Sequence, residues 1–312
     1  MYFPYLRGRQ FELIAIRELV EYSLLSDKII PIIEPVKLSS TLIKTIQVFQ
    51  NANKKLALVR NPQVGNFVLD VKKSENELMV EKLYELIKSG TIIDVHFLNP
   101  HSKKNIAKHL EGGGHISEMI TVCKNEDYIH VFEEVFSGEK PKYSLIPDES
   151  VFRRRIRNNR VMMEDKFNKQ SRNTDYAEID DEPFSADHLY YLEDGYVGFS
   201  DYSIIGDDYN ETGFAPYAVA IHIAYFDEEN SMRVKHFVSD TNDDITDPAG
   251  KFAEAVKKLV EWNEGINLNT FGINALTQMY KNEIYPGLGT VKKLSLMHHI
   301  ELIGRFLDGD IK

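Results

Sequence analysis

The sequence predicts an α/β fold, a TIM-barrel-like (β/α) barrel with an added β-hairpin and C-terminal helices. Three observations predict it. Short apolar segments alternate with longer segments of helical period through the first two-thirds of the chain. Eight strand candidates fall within about 205 residues, the lower size range of a closed barrel. The first strand–helix junction has neither G-x-G-x-x-G nor G-x-x-x-x-G-K-[ST], the phosphate loops that would favour the alternative, an open doubly wound sheet.

The elements follow in order. Tyr2 to Leu6 reads as a strand, and Gln10 to Leu25 as a helix with Leu13, Ile16, Leu19 and Val20 on its apolar stripe. Ile29 to Glu34 is the next strand, weakened at Pro31, which has no amide to donate. Ser39 or Ser40 caps a helix through Leu42, Ile46 and Phe49, and Lys55 to Arg60 returns to a strand. Ser74 and Glu77 have capping-box spacing at the start of a helix that Gly90 ends. Thr91 to Leu98 is the clearest strand, followed by a helix from His101 to Leu110 and the Gly112 to Gly114 run. Strands at Glu118 to Cys123, Lys142 to Ile146, Asn159 to Glu164 and Tyr196 to Ile204 complete the set, with helices near 126–136 and 153. Helical crossovers between strands favour a parallel sheet. Residues 166–188, polar and unperiodic, read as a long loop. Beyond them Tyr217 to Phe226 and Met232 to Ser239 flank a polar turn and read as a hairpin, with three helical stretches near 249–263, 271–282 and 289–307. The expected division is a barrel over 1–205 and a hairpin plus helical extension over 206–312 packed on it.

Composition narrows the function classes. The chain has 312 residues, 43% apolar and 27% charged, which excludes wholesale disorder. Its one cysteine, Cys123, excludes an internal disulfide and a thiolate cluster. No apolar run approaches a membrane span and the N-terminus has no secretory pattern, so a soluble cytoplasmic protein is expected. Residues 1–165 hold 24 Lys/Arg and 22 Asp/Glu, whereas 166–312 hold 13 and 26. That acidity disfavours nucleic acid except through a local basic patch, for which Arg153, Arg154, Arg155, Arg157 and Arg160 are the candidates. A solvated face pairing with the acidic 175–194 segment is the favoured reading of those arginines.

Polar residues recur where the strand candidates end: Arg7, Glu34, Arg60, Asp94 and His96, Lys124, Asp148, Glu164 and Asp165, and Asp201. A parallel barrel places such ends on one rim, where the sites of that fold lie. Asp94 and His96, two apart in a strand, share a face and are expected to point into the mouth. Glu34, Asp94, His96 and Glu164 are the candidate catalytic set, and Glu34, Asp94 and Glu164 the candidate ligands of Mg²⁺ or Mn²⁺. Arg7, Arg9 and Arg60, with Asp148 and Asp201, are the candidate binding residues, the arginines by bidentate bonding to a phosphate. Together they suit phosphodiester or nucleotide chemistry. The plain alternative is that strand ends are polar because they meet solvent, and that Arg7 and Glu34 pair as a structural bridge. Cys123 reads as an inert buried thiol and the glycine run as a helix cap and linker.

The opening Tyr2-Phe3-Pro4-Tyr5-Leu6-Arg7-Gly8-Arg9-Gln10-Phe11-Glu12, then Ala15, Leu19 and Ile30-Pro31-Ile32-Ile33-Glu34-Pro35, resembles the phage-type beta-protein family, as do Gly198-Phe199-Ser200-Asp201-Tyr202 and Pro216-Tyr217. The resemblance implies an uncharacterised protein of phages and mobile elements, sometimes encoded beside a small nuclease. Two readings follow. One is a defence-associated barrel, with metal-dependent phosphodiesterase or nucleotide-processing activity at the rim. The other is a non-catalytic acidic binding module that engages a nuclease or other protein partner.

Overall fold

Residues Tyr2 to Leu6 run extended, and the carbonyls of Tyr2, Pro4 and Leu6 accept the amides of Ile30, Ile32 and Glu34 at 3.0, 2.9 and 2.8 Å. This local pairing starts a parallel sheet. A computed structural model describes residues 1–88, 90–210 and 217–311; Pro216 lies outside them, as does the side chain of Ser74. In chain order the elements of the sheet region are β1 (Tyr5–Leu6), α1 (Gln10–Glu21), β2 (Ile32–Ile33), α2 (Ser40–Asn51), β3 (Leu56–Val59), α3 (Phe67–Asp70) and α4 (Glu77–Lys88). Then come β4 (Ile92–Phe97), α5 (Ser102–Glu111), β5 (Ile120–Val122), α6 (Ile129–Val135), β6 (Tyr143–Ile146), α7 (Ser150–Arg155) and β7 (Arg160–Glu164). The remaining elements are α8 (Tyr176–Ile179), β8 (Asp181–Ser185), α9 (Asp187–Tyr190), β9 (Gly198–Asp201), β10 (Ala220–Phe226), β11 (Met232–Val238), α10 (Pro248–Ile266), α11 (Phe271–Lys281) and α12 (Leu288–Asp308).

Eight strands form one parallel sheet in the order β1-β2-β3-β4-β5-β6-β7-β9. Its ends meet at the N-terminus, where Tyr2 bridges both Ile29 and Phe199 and Phe3 N–H donates to the Phe199 carbonyl at 2.9 Å. The result is a nearly closed, TIM-barrel-like ring. Pro31 shortens β2 as expected: its missing amide falls just before the ladder with β3 begins at Ile32 and Ala57. Ser39 caps α2, its hydroxyl accepting from Leu42 N–H at 3.2 Å.

Register partners in a parallel sheet share a face, so one contact across the ring fixes them all. Phe3 and Tyr143, on strands that do not pair, bring their rings within 4.9 Å, edge to face. The row containing Phe3, Tyr5, Ile32, Ala57 and Ile93 therefore points inward. The row containing Leu6, Ile33, Leu58 and Asp94 points outward to the helices.

Gly65 illustrates a backbone requirement near the mouth. It has φ of +74°, and a β-carbon there would land on the Val36 carbonyl, which already accepts Asn66 and Phe67 N–H at 2.6 and 3.1 Å. Neither the conformation nor the doubly bonded carbonyl can yield cheaply. Gly65→Ala is expected to lower stability by about 2 kcal/mol, read as a shifted urea midpoint with an unchanged slope.

The chain divides into two compact units. The first comprises Met1–Leu13, Asp27–Glu164 and Tyr190–Asp201, and the second Ile14–Ser26, Asp165–Leu189 and Tyr202–Lys312. The second unit is thus larger than the 206–312 tail expected from sequence. Residues 166–188 are also more ordered than expected, since they contain α8 and β8, and β8 pairs antiparallel with β11 in a sheet of order β10-β11-β8. Pro183 is tolerated because β8 is an edge strand. Its partners lie far along the chain: Asp181 pairs with Arg233, and Asp180 with Lys235 at 2.5 Å. One face of this sheet meets α10, where Tyr225 and Phe237 contact the Trp262 ring at 5.2 and 5.4 Å. The other face meets α12, where Phe184 contacts His299 and Phe226 contacts Phe306. Among the described residues no helix is long and apolar enough to cross a membrane.

Candidate functional site

The inward parity of β1 and β2 carries Arg7 and Glu34 into the barrel mouth. Glu34 is fully buried and Arg7 nearly so, and the two form an ion pair. Glu34 also accepts from the Tyr5 hydroxyl at 2.8 Å and from Gln63 N–H at 2.6 Å. A carboxylate with three donors on its two oxygens is structurally satisfied. Beside it, the Asn61 amide clamps β3 to β4 by donating to the Phe97 carbonyl at 2.7 Å and accepting Phe97 N–H at 2.8 Å. Tyr5, Asn61 and Gln63 were not singled out by sequence; the alternation that put Glu34 inside would have placed Tyr5 beside it.

The other rim candidates do not join this pair. Asp94 and His96 share a face, as expected, but that face points outward to α5, because Asp94 is in register with Leu58 of the helix-facing row. Asp94 lies 3.6 Å from Arg60 and 3.4 Å from His109 of α5. His96 bonds the Ser102 hydroxyl at 2.8 Å, and burial, reinforced by His109, lowers its pKa to about 4. Glu164 and its register partner Asp201 also belong to the outward row. Glu164 accepts from Asp148 N–H at 2.7 Å, and Asp201 accepts from the buried Tyr2 hydroxyl at 2.7 Å at the seam. Asp148 accepts from Arg153 and from the Tyr196 hydroxyl. Arg9 contributes its backbone amide to Glu12 at 3.3 Å, opening α1.

Among the described residues no three His, Cys, Asp or Glu side chains are grouped to hold a metal ion. The structure does not bring together Glu34, Asp94 and Glu164, the expected ligands of Mg²⁺ or Mn²⁺: strand alternation sends one carboxylate inward and two outward. The arginine run also differs from expectation. Arg155 bonds Glu133 and Arg160 bonds the Gly195 carbonyl at 2.8 Å, while Asp180, Asp181 and Asp187 pair with Lys235, Arg233 and Lys166. Each group finds its partners within its own unit. Cys123 is buried, its pKa pushed up to about 12 by that burial.

A different site lies wholly in the second unit. A cavity of about 260 Å³ opens on the α12 side of the three-stranded sheet, lined by Phe167, Tyr176, Ile204, Val219, Leu288 and Val291 as its apolar wall. Lys169 and Lys292, both exposed, stand at its edge, and Gln170, Asn173, His222 and Ser295 are its other polar lining groups. Among the described residues no carboxylate lines it, and Lys169 is paired with Asp208 at 3.7 Å. The Phe167 and Tyr176 rings pack against His222 at 5.1 and 4.5 Å, giving an aromatic wall.

Beneath the cavity runs a polar chain. His222 and His236 are cross-strand partners, with Nδ1 atoms 2.8 Å apart, and His236 Nε2 lies 3.1 Å from Glu182 Oε1. Burial is the chief cause that lowers both histidine pKa values, to about 3 for His222 with help from His236 and Lys292, and less for His236 because Glu182 opposes it. Sequence reading passed over all three residues. The hairpin turn gave one signal, since pairing its arms about that turn sets His222 opposite His236.

No known family model matches the chain, and neither a curated protein nor a solved structure matches it.

Proposed function

We propose that the protein is a binding module whose ligand is a small aromatic anion held in the second-unit cavity. One observation carries this reading: an apolar, ring-walled cavity whose charged lining, among the described residues, consists of Lys292 and of Lys169, the latter 3.7 Å from Asp208 outside the lining. Apolar walls take up a hydrocarbon body, and ammonium groups at the edge favour a negative headgroup by Coulomb attraction. The volume equals on the order of nine water volumes at ~30 Å³ each, suited to one ring with a headgroup. Carboxylate and phosphate headgroups meet the same requirement.

The phosphodiester reading of the barrel rim has no comparable support, because Glu34, Asp94, His96 and Glu164 serve separate local pairs. The phage or mobile-element setting, and with it a nuclease partner, rests on the resemblance of the opening residues and supplies a context for the module. Calorimetric titration with benzoate, phenyl phosphate and uncharged benzamide tests the anion reading. At least one anion is expected to bind on the order of tenfold more tightly than benzamide, and Lys169→Met with Lys292→Met to remove that advantage. Equal affinity for benzamide, or binding of none of the three, would overturn it.

A further inference from the structure

We propose that the cavity's ligand carries a hydrogen-bond donor at the end remote from its anionic group, and that His222 Nε2 accepts it. This rests on the anion-binding reading and adds the polarity of the ligand's inner end. The argument is one of donors and acceptors along the Glu182–His236–His222 chain. An ionised carboxylate can only accept, so His236 Nε2 carries the proton in its contact with Glu182 Oε1. A neutral His236 then has a bare Nδ1, and the 2.8 Å contact requires His222 Nδ1 to be the donor. A neutral His222 protonated on Nδ1 presents an unprotonated Nε2. That nitrogen makes no hydrogen bond among the described residues, while the ring lines the cavity.

The neutrality on which this depends has a physical cause. Both imidazoles are desolvated, His222 is additionally opposed by His236 and Lys292, and for His236 burial outweighs the attraction of Glu182, Asp181 and Asp180. Phe167 and Tyr176 pack edge to face with the His222 ring, so its orientation is fixed by these contacts as well as by Nδ1. With the ammonium groups at the cavity edge and an acceptor on the sheet floor, the complementary molecule has an acid at one end and a hydroxyl or N–H at the other. A site built to accept a hydrogen bond discriminates against a ligand that lacks the donor.

The probes are benzoate against 4-hydroxybenzoate and phenyl phosphate against 4-hydroxyphenyl phosphate, titrated into the full chain. The para-hydroxyl member of at least one pair is expected to bind about tenfold more tightly, with the better pair identifying the headgroup. His222→Leu is expected to erase the difference within that pair. Nitrogen-15 histidine spectra of the unsubstituted protein give a second readout that does not depend on a variant folding: His222 should be protonated on Nδ1 and bare on Nε2. Anion binding without a hydroxyl preference, or the opposite His222 tautomer, would overturn this inference and leave the anion reading standing. Failure of all four anions to bind would defeat both.

Discussion

Arg7→Met is expected to destabilise the barrel unit by about 3–5 kcal/mol, the range for removing one partner of a buried ion pair. Glu34 is fully buried and Arg7 is only 11% exposed, so water cannot replace the guanidinium at the carboxylate. Methionine keeps most of the stem volume and isolates the loss of charge from the loss of packing. The remaining donors, the Tyr5 hydroxyl and Gln63 N–H, bond the carboxylate but leave its net charge uncompensated. Adding Glu34→Gln should therefore recover about half of the loss, because the amide oxygen still accepts while the buried charge is gone. Urea unfolding of the two single variants and the double variant measures the coupling. If Arg7→Met costs less than about 1 kcal/mol, the pair behaves as a surface bridge and the account of the mouth fails.

The barrel was legible because its signals are local. KLALVR and TIIDVHFL each state a strand within eight residues, and the intervening helical periods require parallel crossovers. The direction in which a strand's side chains point is a different kind of information. The two-residue spacing of Asp94 and His96 guarantees a common face without choosing it, and the choice came from register with Leu58 and from Ser102 and His109 on the next helix. For β8 the deciding partners, Arg233 and Lys235, are about fifty residues away, so a polar segment with a proline showed no local reason to be a strand. Glu182 and His236, in the polar chain beneath the cavity, are separated by 54 positions in the same way. Charges at strand ends marked the rim correctly as polar, but each was already committed to a neighbour that only the fold reveals.

The second unit should lose stability in mild acid through its buried histidines. His298 on α12 bonds the Thr270 hydroxyl through Nδ1 at 2.7 Å and the Ala224 carbonyl through Nε2 at 2.6 Å, joining the helix to β10. The Ala224 carbonyl can only accept, so Nε2 is the donor there, and in the neutral ring that burial favours Nδ1 accepts from the Thr270 hydroxyl. Burial is the main cause that lowers its pKa from 6.5 to about 4; the nearby His299 and Arg305 add to it, and the Ala224 bond works in the opposite direction. Between those two pH values the unfolded chain binds a proton that the folded chain refuses. Stability therefore rises with pH in this window; it is fully present above about 6.5 and is lost as the pH falls toward 4. The slope for one such site approaches about 1.4 kcal/mol per pH unit, so His298 alone contributes a loss on the order of 3 kcal/mol across the window. His222, depressed to about 3, acts with the same sign over a window that reaches further into acid. Denaturant unfolding between pH 7 and 4.5, followed by Trp262 fluorescence because that ring packs on the second sheet, should show this decline. His298→Gln, whose amide can replace one bond at a time, should be less stable at pH 7 and show a shallower slope by close to one proton. An unchanged slope would mean that His298 does not enter the folded state neutral, and Nδ1 would then donate to the Thr270 hydroxyl while Nε2 still donates to the Ala224 carbonyl.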